Sequence, residues 1–226
     1  MPRKGVGCHP YPFSFLFTFV CRVMRVAITG GIACGKSLFS QYLRCLGVEL
    51  LDADDVVHQL EAPGGAAVPG VVQLFGKAVL DGCGGIDRAA LAERVFADVS
   101  ARERLNAVLH PRVRGIVQDW LGRPNGALRA AVIPLLFEAG WTGDWDFIVC
   151  LVSDERVQCE RLMRFRGLSE EQARKRIAAQ MPVAEKAARS HLAVYNDADA
   201  EALAKEAEKV YRILTEKADE YRERVF

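Results

Sequence analysis

The chain has 226 residues, about half of them hydrophobic, a length and apolar content that suit one domain with a true core and exclude a disordered chain. Its 30 lysines and arginines nearly cancel 29 aspartates and glutamates, and a net charge of +1 gives no basic field for gathering nucleic acid. No nucleic-acid partner is therefore expected, and any anion site has to be local. The seven cysteines, Cys8, Cys21, Cys34, Cys45, Cys83, Cys150 and Cys159, include no Cys-x-x-Cys pair, and they read as reduced thiols of a cytoplasmic protein.

Arg3 and Lys4 precede an apolar run from Tyr11 to Cys21 that superficially has the layout of a secretion signal. The run is too short to span a bilayer, and Arg22 and Arg25 stand where a cleavage site wants small residues. Residues 1–23 are accordingly expected to be an upstream extension, a mis-assigned start or a disordered segment, with Met24 as the native start and no membrane partner.

From Val26 to Thr29 a short apolar run meets Gly30 and Gly31, the pattern of a buried strand feeding a tight turn. Helical spacing follows from Ser37 to Leu46, ending at Gly47, and a second apolar run, Val48 to Leu51, stops at Asp52. Strand, loop, helix, strand opens a parallel α/β fold. Between Ala62 and Gly85 the prolines and glycines predict no regular element. Asp87 reads as the N-cap of a helix through Leu91 and Phe96, and another helix is expected over Ala101 to Leu121. Ala130 to Ile133 and Phe147 to Val152 are runs suited to strands buried on both faces. Asp154 to Gln180 is helical, rich in arginine and broken at Gly167, with Ser169 and Gln172 spaced as a capping box. Leu192 to Tyr195 reads as a last strand, and Ala198 to Arg224 as a charged terminal helix.

Gly30, Gly31, Ile32, Ala33, Cys34, Gly35, Lys36 and Ser37 satisfy GxxxxGK[S/T], placed after a strand and opening a helix. Glycines let the backbone wrap closely, so that amides and the helix N-terminus face the β- and γ-phosphates of a nucleotide such as ATP. Lys36 adds a mobile positive charge on the same oxygens, and the Ser37 hydroxyl is placed to ligate Mg²⁺. No [N/T]KxD segment is present to read guanine, and Asp81 to Gly84 fits DxxG only as part of a glycine-rich turn, which argues against a switch GTPase. Asp52 and Asp54 close the second strand. Either helix capping or catalysis explains such carboxylates, and one at the carboxyl end of a parallel strand lies where these sheets bind ligands. Asp54 would then accept the proton of an attacking hydroxyl or hold a Mg²⁺ water.

TGGIACGKS, LLDADDVVHQL, Phe75-Gly76, Ile86-Asp87-Arg88, Leu109-His110-Pro111 and Ile133-Pro134-Leu135-Leu136-Phe137-Glu138 occur in the order and spacing of dephospho-coenzyme A kinases. From Met24 nearly to its C-terminus the chain resembles that family. The resemblance implies a P-loop kinase fold, with a parallel sheet flanked by helices, an acceptor-covering helical insertion around residues 63–124 and a lid around 158–182. It also implies transfer of the ATP γ-phosphoryl group to the ribose 3′-hydroxyl of dephospho-coenzyme A, with Asp54 as base and His110, Pro134 and Glu138 on the acceptor side. The arginines of the 154–180 segment make either a solvated face or the lid. As lid, Arg161 or Arg164 matches the family arginine that reaches the transferring phosphates. Two departures stand out. Leu38 replaces a usual hydroxyl residue of the ATP loop, and of the family's late Ala-Asp-x-Val-Ile-x-Asn pattern little survives besides Asn196. The rival reading is another P-loop small-molecule or nucleotide kinase, and the sequence carries no signal for oligomeric state.

Overall fold

The computed structural model describes residues 24–96, 98–123 and 128–225, so the expected extension 1–23 lies outside the described residues. Five parallel strands, β1 (Val26–Gly30), β2 (Glu49–Asp52), β3 (Arg129–Val132), β4 (Phe147–Val152) and β5 (Leu192–Tyr195), form a sheet in the order β2-β3-β1-β4-β5. Val26 and Ile28 face one side and Ala27 the other, and helices cover both, which is why β1 and β4 at the centre of the sheet read as apolar runs. Gly30 pairs with Leu151, and Asp52 with Val132, so the carboxyl ends of the strands gather at one edge. Sites in such sheets form along that edge.

Over one face lie α1 (Lys36–Cys45) and the terminal helix α9 (Ala200–Val225), sealing Phe39 and Leu43 against Leu203, Ala207, Val210 and Leu214. The other face carries the helices that join β2 to β3: α2 (Ala53–Glu61), α3 (Val68–Phe75), α4 (Arg88–Phe96) and α5 (Val99–Leu121). Leu105, Leu109, Val113, Val117 and Leu121 bury one stripe of α5 at a spacing of four. Asp87 caps α4 through its Oδ1, which accepts from the amides of Ala89 and Ala90.

The stretch expected to be irregular contains α3. Pro69 sits in the first turn, where a missing N–H costs nothing, and Gly70 lets the helix approach α5, since a Cβ there would stand 3.1 Å from Val108. Asp81 Oδ1 accepts from the amides of Cys83 and Gly85, so the DxxG-like residues form a turn.

After β4, α6 (Glu155–Arg166) ends at Gly167, which takes the left-handed conformation at φ 64°. The capping box of Ser169 and Gln172 then starts α7 (Glu170–Ala178). These two helices bury Cys159, Leu162 and Ala173 in a small cluster that also touches Ile32 and Ala33. A further short helix, α8 (Val183–Ala188), precedes β5. Among the described residues, no helix is long and apolar enough to cross a membrane, and Cys34, Cys45, Cys83, Cys150 and Cys159 are free thiols.

Candidate active site

The loop from Gly30 to Ser37 joins β1 to α1. Gly30 has φ 143°, and a Cβ on it would lie 2.3 Å from the Leu151 carbonyl oxygen, while Gly35 has φ 89°. Both positions require the residue without a side chain. Ala33 is held at φ 57°, a left-handed conformation that costs a non-glycine residue about 1–2 kcal/mol.

Side chains from distant parts of the chain hold the loop. Gln158 Nε2 donates to the Ile32 carbonyl at 2.9 Å, Arg161 Nη1 to the Ala33 carbonyl at 3.3 Å, and Asn196 Nδ2 to the Cys34 carbonyl at 3.0 Å. Gln180 Oε1 accepts from the Ile32 amide at 2.9 Å. The C=O and N–H of a trans peptide point in opposite directions, so tethering the Ile32 and Cys34 carbonyls turns the Ala33 and Gly35 amides the other way. Ala33 and Gly35 line the cleft, as do the tethering residues Arg161, Gln180 and Asn196. The Cys34 thiol is buried, accepts from Gln158 Nε2 at 2.9 Å and takes no part in the lining.

Lys36 folds back over the loop, its Nζ 2.8 Å from the Gly31 carbonyl and 3.1 Å from that of Gly30. Burial lowers its pKa below the ordinary lysine value, and the nearby Lys186 ammonium adds to the fall against the opposing pull of Cys34 and Asp54. Ser37 is exposed at the N-terminus of α1, and Leu38 is half-buried beside it.

The cleft in front of the loop has a volume of about 700 Å³. On the β2 and β3 side its wall is Asp52, Asp54, Val132 and Pro134; on the β5 side it is Asn196 and the start of α9. Asp52 caps α2 by accepting from the Asp54 amide at 2.9 Å, which leaves the exposed Asp54 carboxylate free of capping duty. Burial raises the Asp52 pKa; the amide bond from Asp54 works against that, and the Asp54 and Asp55 charges add to it.

The arginines divide. Arg161, Arg166 and Arg176 line the cleft, whereas Arg156 pairs with Glu160 at 3.1 Å, and Arg174 with Glu155 and Glu170 at 3.2 and 2.8 Å. Arg164 lies outside the lining, its guanidinium 5.2 Å from the centre of the Phe165 ring. Of the residues expected on the acceptor side, Pro134 is in the cleft wall. Glu138 is not, and its Oε1 lies 2.6 Å from Lys186 Nζ and accepts from the Met181 amide at 3.1 Å. His110 sits on α5 in a separate depression of about 480 Å³ with Glu103, Asn106 and Arg114, where burial, and then the Arg114 charge, lowers its pKa. Sequence reasoning missed Gln158, Gln180 and Lys186, which belong to no local motif; Phe165, exposed in the cleft wall, was signalled only by the arginine-rich segment around it.

A phosphate loop with its own lysine, facing a free carboxylate and a set of arginines across one cleft, is kinase geometry. The dephospho-CoA kinase family model matches residues 24–202. The chain belongs to the dephospho-CoA kinase family. A dephospho-CoA kinase of Anaeromyxobacter dehalogenans is 42% identical over 191 residues, covering 83% of this chain and 90% of that relative. One of Geobacter sulfurreducens is 38% identical, covering 82% and 96%. Among solved structures, TT1252 from Thermus thermophilus superposes with a TM-score of 0.75 at 33% identity, over 85% of this chain and 98% of that one. The dephospho-CoA kinase of Campylobacter jejuni, at 24% identity and a TM-score of 0.57, shares the fold over 84% and 96%. Family membership matches the expectation from the ordered motifs, and the parallel P-loop kinase fold matches the strand and helix pattern.

Proposed function

We propose that the cleft transfers the γ-phosphoryl group of ATP to the ribose 3′-hydroxyl of dephospho-coenzyme A, giving coenzyme A and ADP. The observation that carries this reading is the opposition, across one cleft, of the loop amides with Lys36 and the free carboxylate of Asp54. The Ala33 and Gly35 amides and the α1 N-terminus bind the β- and γ-phosphates of ATP, along the loop from Gly30 to Leu38. Lys36 leaves its two carbonyl partners for the phosphate oxygens, and Asp54 takes the proton of the attacking hydroxyl.

Arg161, already tied to the loop through Ala33, places its charge where the equatorial oxygens of the transferring group develop theirs. Residues 158–182 act as the lid, and the helices within 63–124 cover the acceptor, with Pro134 against it and Glu138 and His110 behind. For Mg²⁺ the donor set is suitable, since the exposed Ser37 hydroxyl shares the cleft with the Asp52 and Asp54 carboxylates, and hard oxygen ligands are what this ion takes. When bound, Mg²⁺ supplies neutralisation of charge on the phosphate oxygens.

The test is to incubate the protein with MgATP and dephospho-coenzyme A and identify the product by mass and phosphorus NMR. A single added phosphate monoester on the 3′-oxygen is expected. Faster phosphorylation of a different hydroxyl acceptor would replace this reading with that of another small-molecule kinase.

A further inference from the structure

Lys186 is a wholly buried lysine in the last turn of α8, and the Glu185 beside it pairs with Arg189 at 3.5 Å. Burying an ammonium is costly unless it is paired and fully hydrogen-bonded, and an apolar side chain would fill the same space. Its Nζ lies 2.6 Å from Glu138 Oε1 and donates to the Pro134 carbonyl at 3.1 Å. It thus grips two points of the turn that follows β3. The same Pro134 carbonyl accepts from Thr29 Oγ1 at 3.3 Å, on the strand that feeds the phosphate loop. Glu138 Oε1 accepts from the Met181 amide, and the neighbouring Gln180 binds the Ile32 amide of that loop. One ammonium therefore sits at the junction of the acceptor-side wall, the end of the lid segment and the phosphate loop.

We propose that Lys186 is a positioning residue for phosphoryl transfer: by holding Pro134 and Glu138 it sets the acceptor-side wall at a fixed distance from the phosphate loop. Lys186 does not line the cleft, so it acts through those two residues. Its charge is close enough to Lys36 to help lower the pKa of that group, which places it beside the reacting region. The proposal rests on the kinase reading above.

The decisive variant is the double substitution Lys186→Met with Glu138→Gln, which removes both charges and leaves neither unpaired. Steady-state ADP formation is measured against varied dephospho-coenzyme A and varied ATP. The expected result is a KM for the acceptor raised roughly tenfold and a kcat/KM lowered roughly 10²-fold, with the KM for ATP changed by less than about threefold, as for a reacting group displaced by about 1 Å. A purely structural pair would lower Tm in the single Lys186→Met variant and leave the acceptor KM of the double variant at the wild-type value, which overturns the proposal. Should the double variant not fold, Lys186→Arg keeps the charge but shifts the donor. The same rise in acceptor KM is expected there, and a wild-type KM overturns the proposal equally. Wild-type turnover run alongside tests the reaction itself, and hydrogen exchange at the Met181 amide, whose acceptor Glu138 is kept in the single Lys186→Met variant, reads the coupling without activity: slow in the wild type and fast in that variant if Lys186 sets the turn, unchanged if it does not.

Discussion

Asn196 shows how the loop is held ready, and Asn196→Ala measures what that holding is worth. Its side chain is 5% exposed, and its Nδ2 donates to the Cys34 carbonyl at 3.0 Å. Its backbone is fixed independently, by the amide bond to Val152 at 2.8 Å and the bond its carbonyl accepts from Ser153 Oγ at 2.7 Å, so truncation removes one bond without loosening β5. A buried carbonyl left without its donor costs about 1–3 kcal/mol. Taking about 2 kcal/mol, Tm should fall by about 4–8 °C for a chain of this size if the carbonyl stays unpaired. The Cys34 peptide can recover that bond only by turning, which carries the Gly35 amide out of the cleft, and binding MgATP then has to turn it back. To the extent that the peptide turns, the loss moves from Tm to binding: complete turning would leave Tm near the wild-type value and weaken the Kd for MgATP about thirtyfold, measured by titration calorimetry. A variant with the lowered Tm but an unchanged Kd would refute the argument that tethered carbonyls aim the loop amides.

Lys36→Ala should lower kcat by about 10²-fold or more, as for loss of one preorganised charge contact, with the protein still folded by circular dichroism. Because burial disfavours the Lys36 ammonium, it titrates below the ordinary 10.5 and stability contributed by this group rises with pH through the window between the two values. Phosphate oxygens restore the charge, so MgATP binding in that window should take up a proton, seen as a buffer-dependent heat that vanishes in Lys36→Met. Asp54→Asn should cost about 10²-fold in kcat with little change in Tm, because Asp52 does the capping; Asp52→Ala, which removes that cap along with a carboxylate of the Mg²⁺ donor set, should also cost about 1 kcal/mol of stability. Arg161→Ala should lower kcat by about 10²–10³-fold, whereas Arg164→Ala, outside the cleft, should stay within about threefold of the wild type.

The elements that were legible are those whose cause is local. β4 follows the expected Phe147 to Val152, because a strand covered on both faces must be apolar throughout, and the edge strand β5 follows the expected Leu192 to Tyr195. The phosphate loop is equally local, since each of its glycines answers a backbone demand within a few residues. α3 escaped notice because Pro69 and Gly70 look like breakers until Pro69 is placed in a first turn and Gly70 against Val108. The tethers of the loop escaped for a different reason. Gln158, Gln180 and Asn196 lie 126, 148 and 162 residues from the loop atoms they hold, and no spacing rule reaches across a whole domain. Composition identified the arginines of α6 and α7 as a group, but only the packing of the helices against the loop separates those that line the cleft from those paired with glutamates on the surface.

Stoichiometric release of ADP with dephospho-coenzyme A as acceptor tests the central claim most directly. Wild-type protein should form one ADP for each coenzyme A produced, and Lys36→Ala protein should form almost none on the same timescale. Folded wild-type protein that binds MgATP yet releases no ADP when dephospho-coenzyme A is saturating would contradict the account.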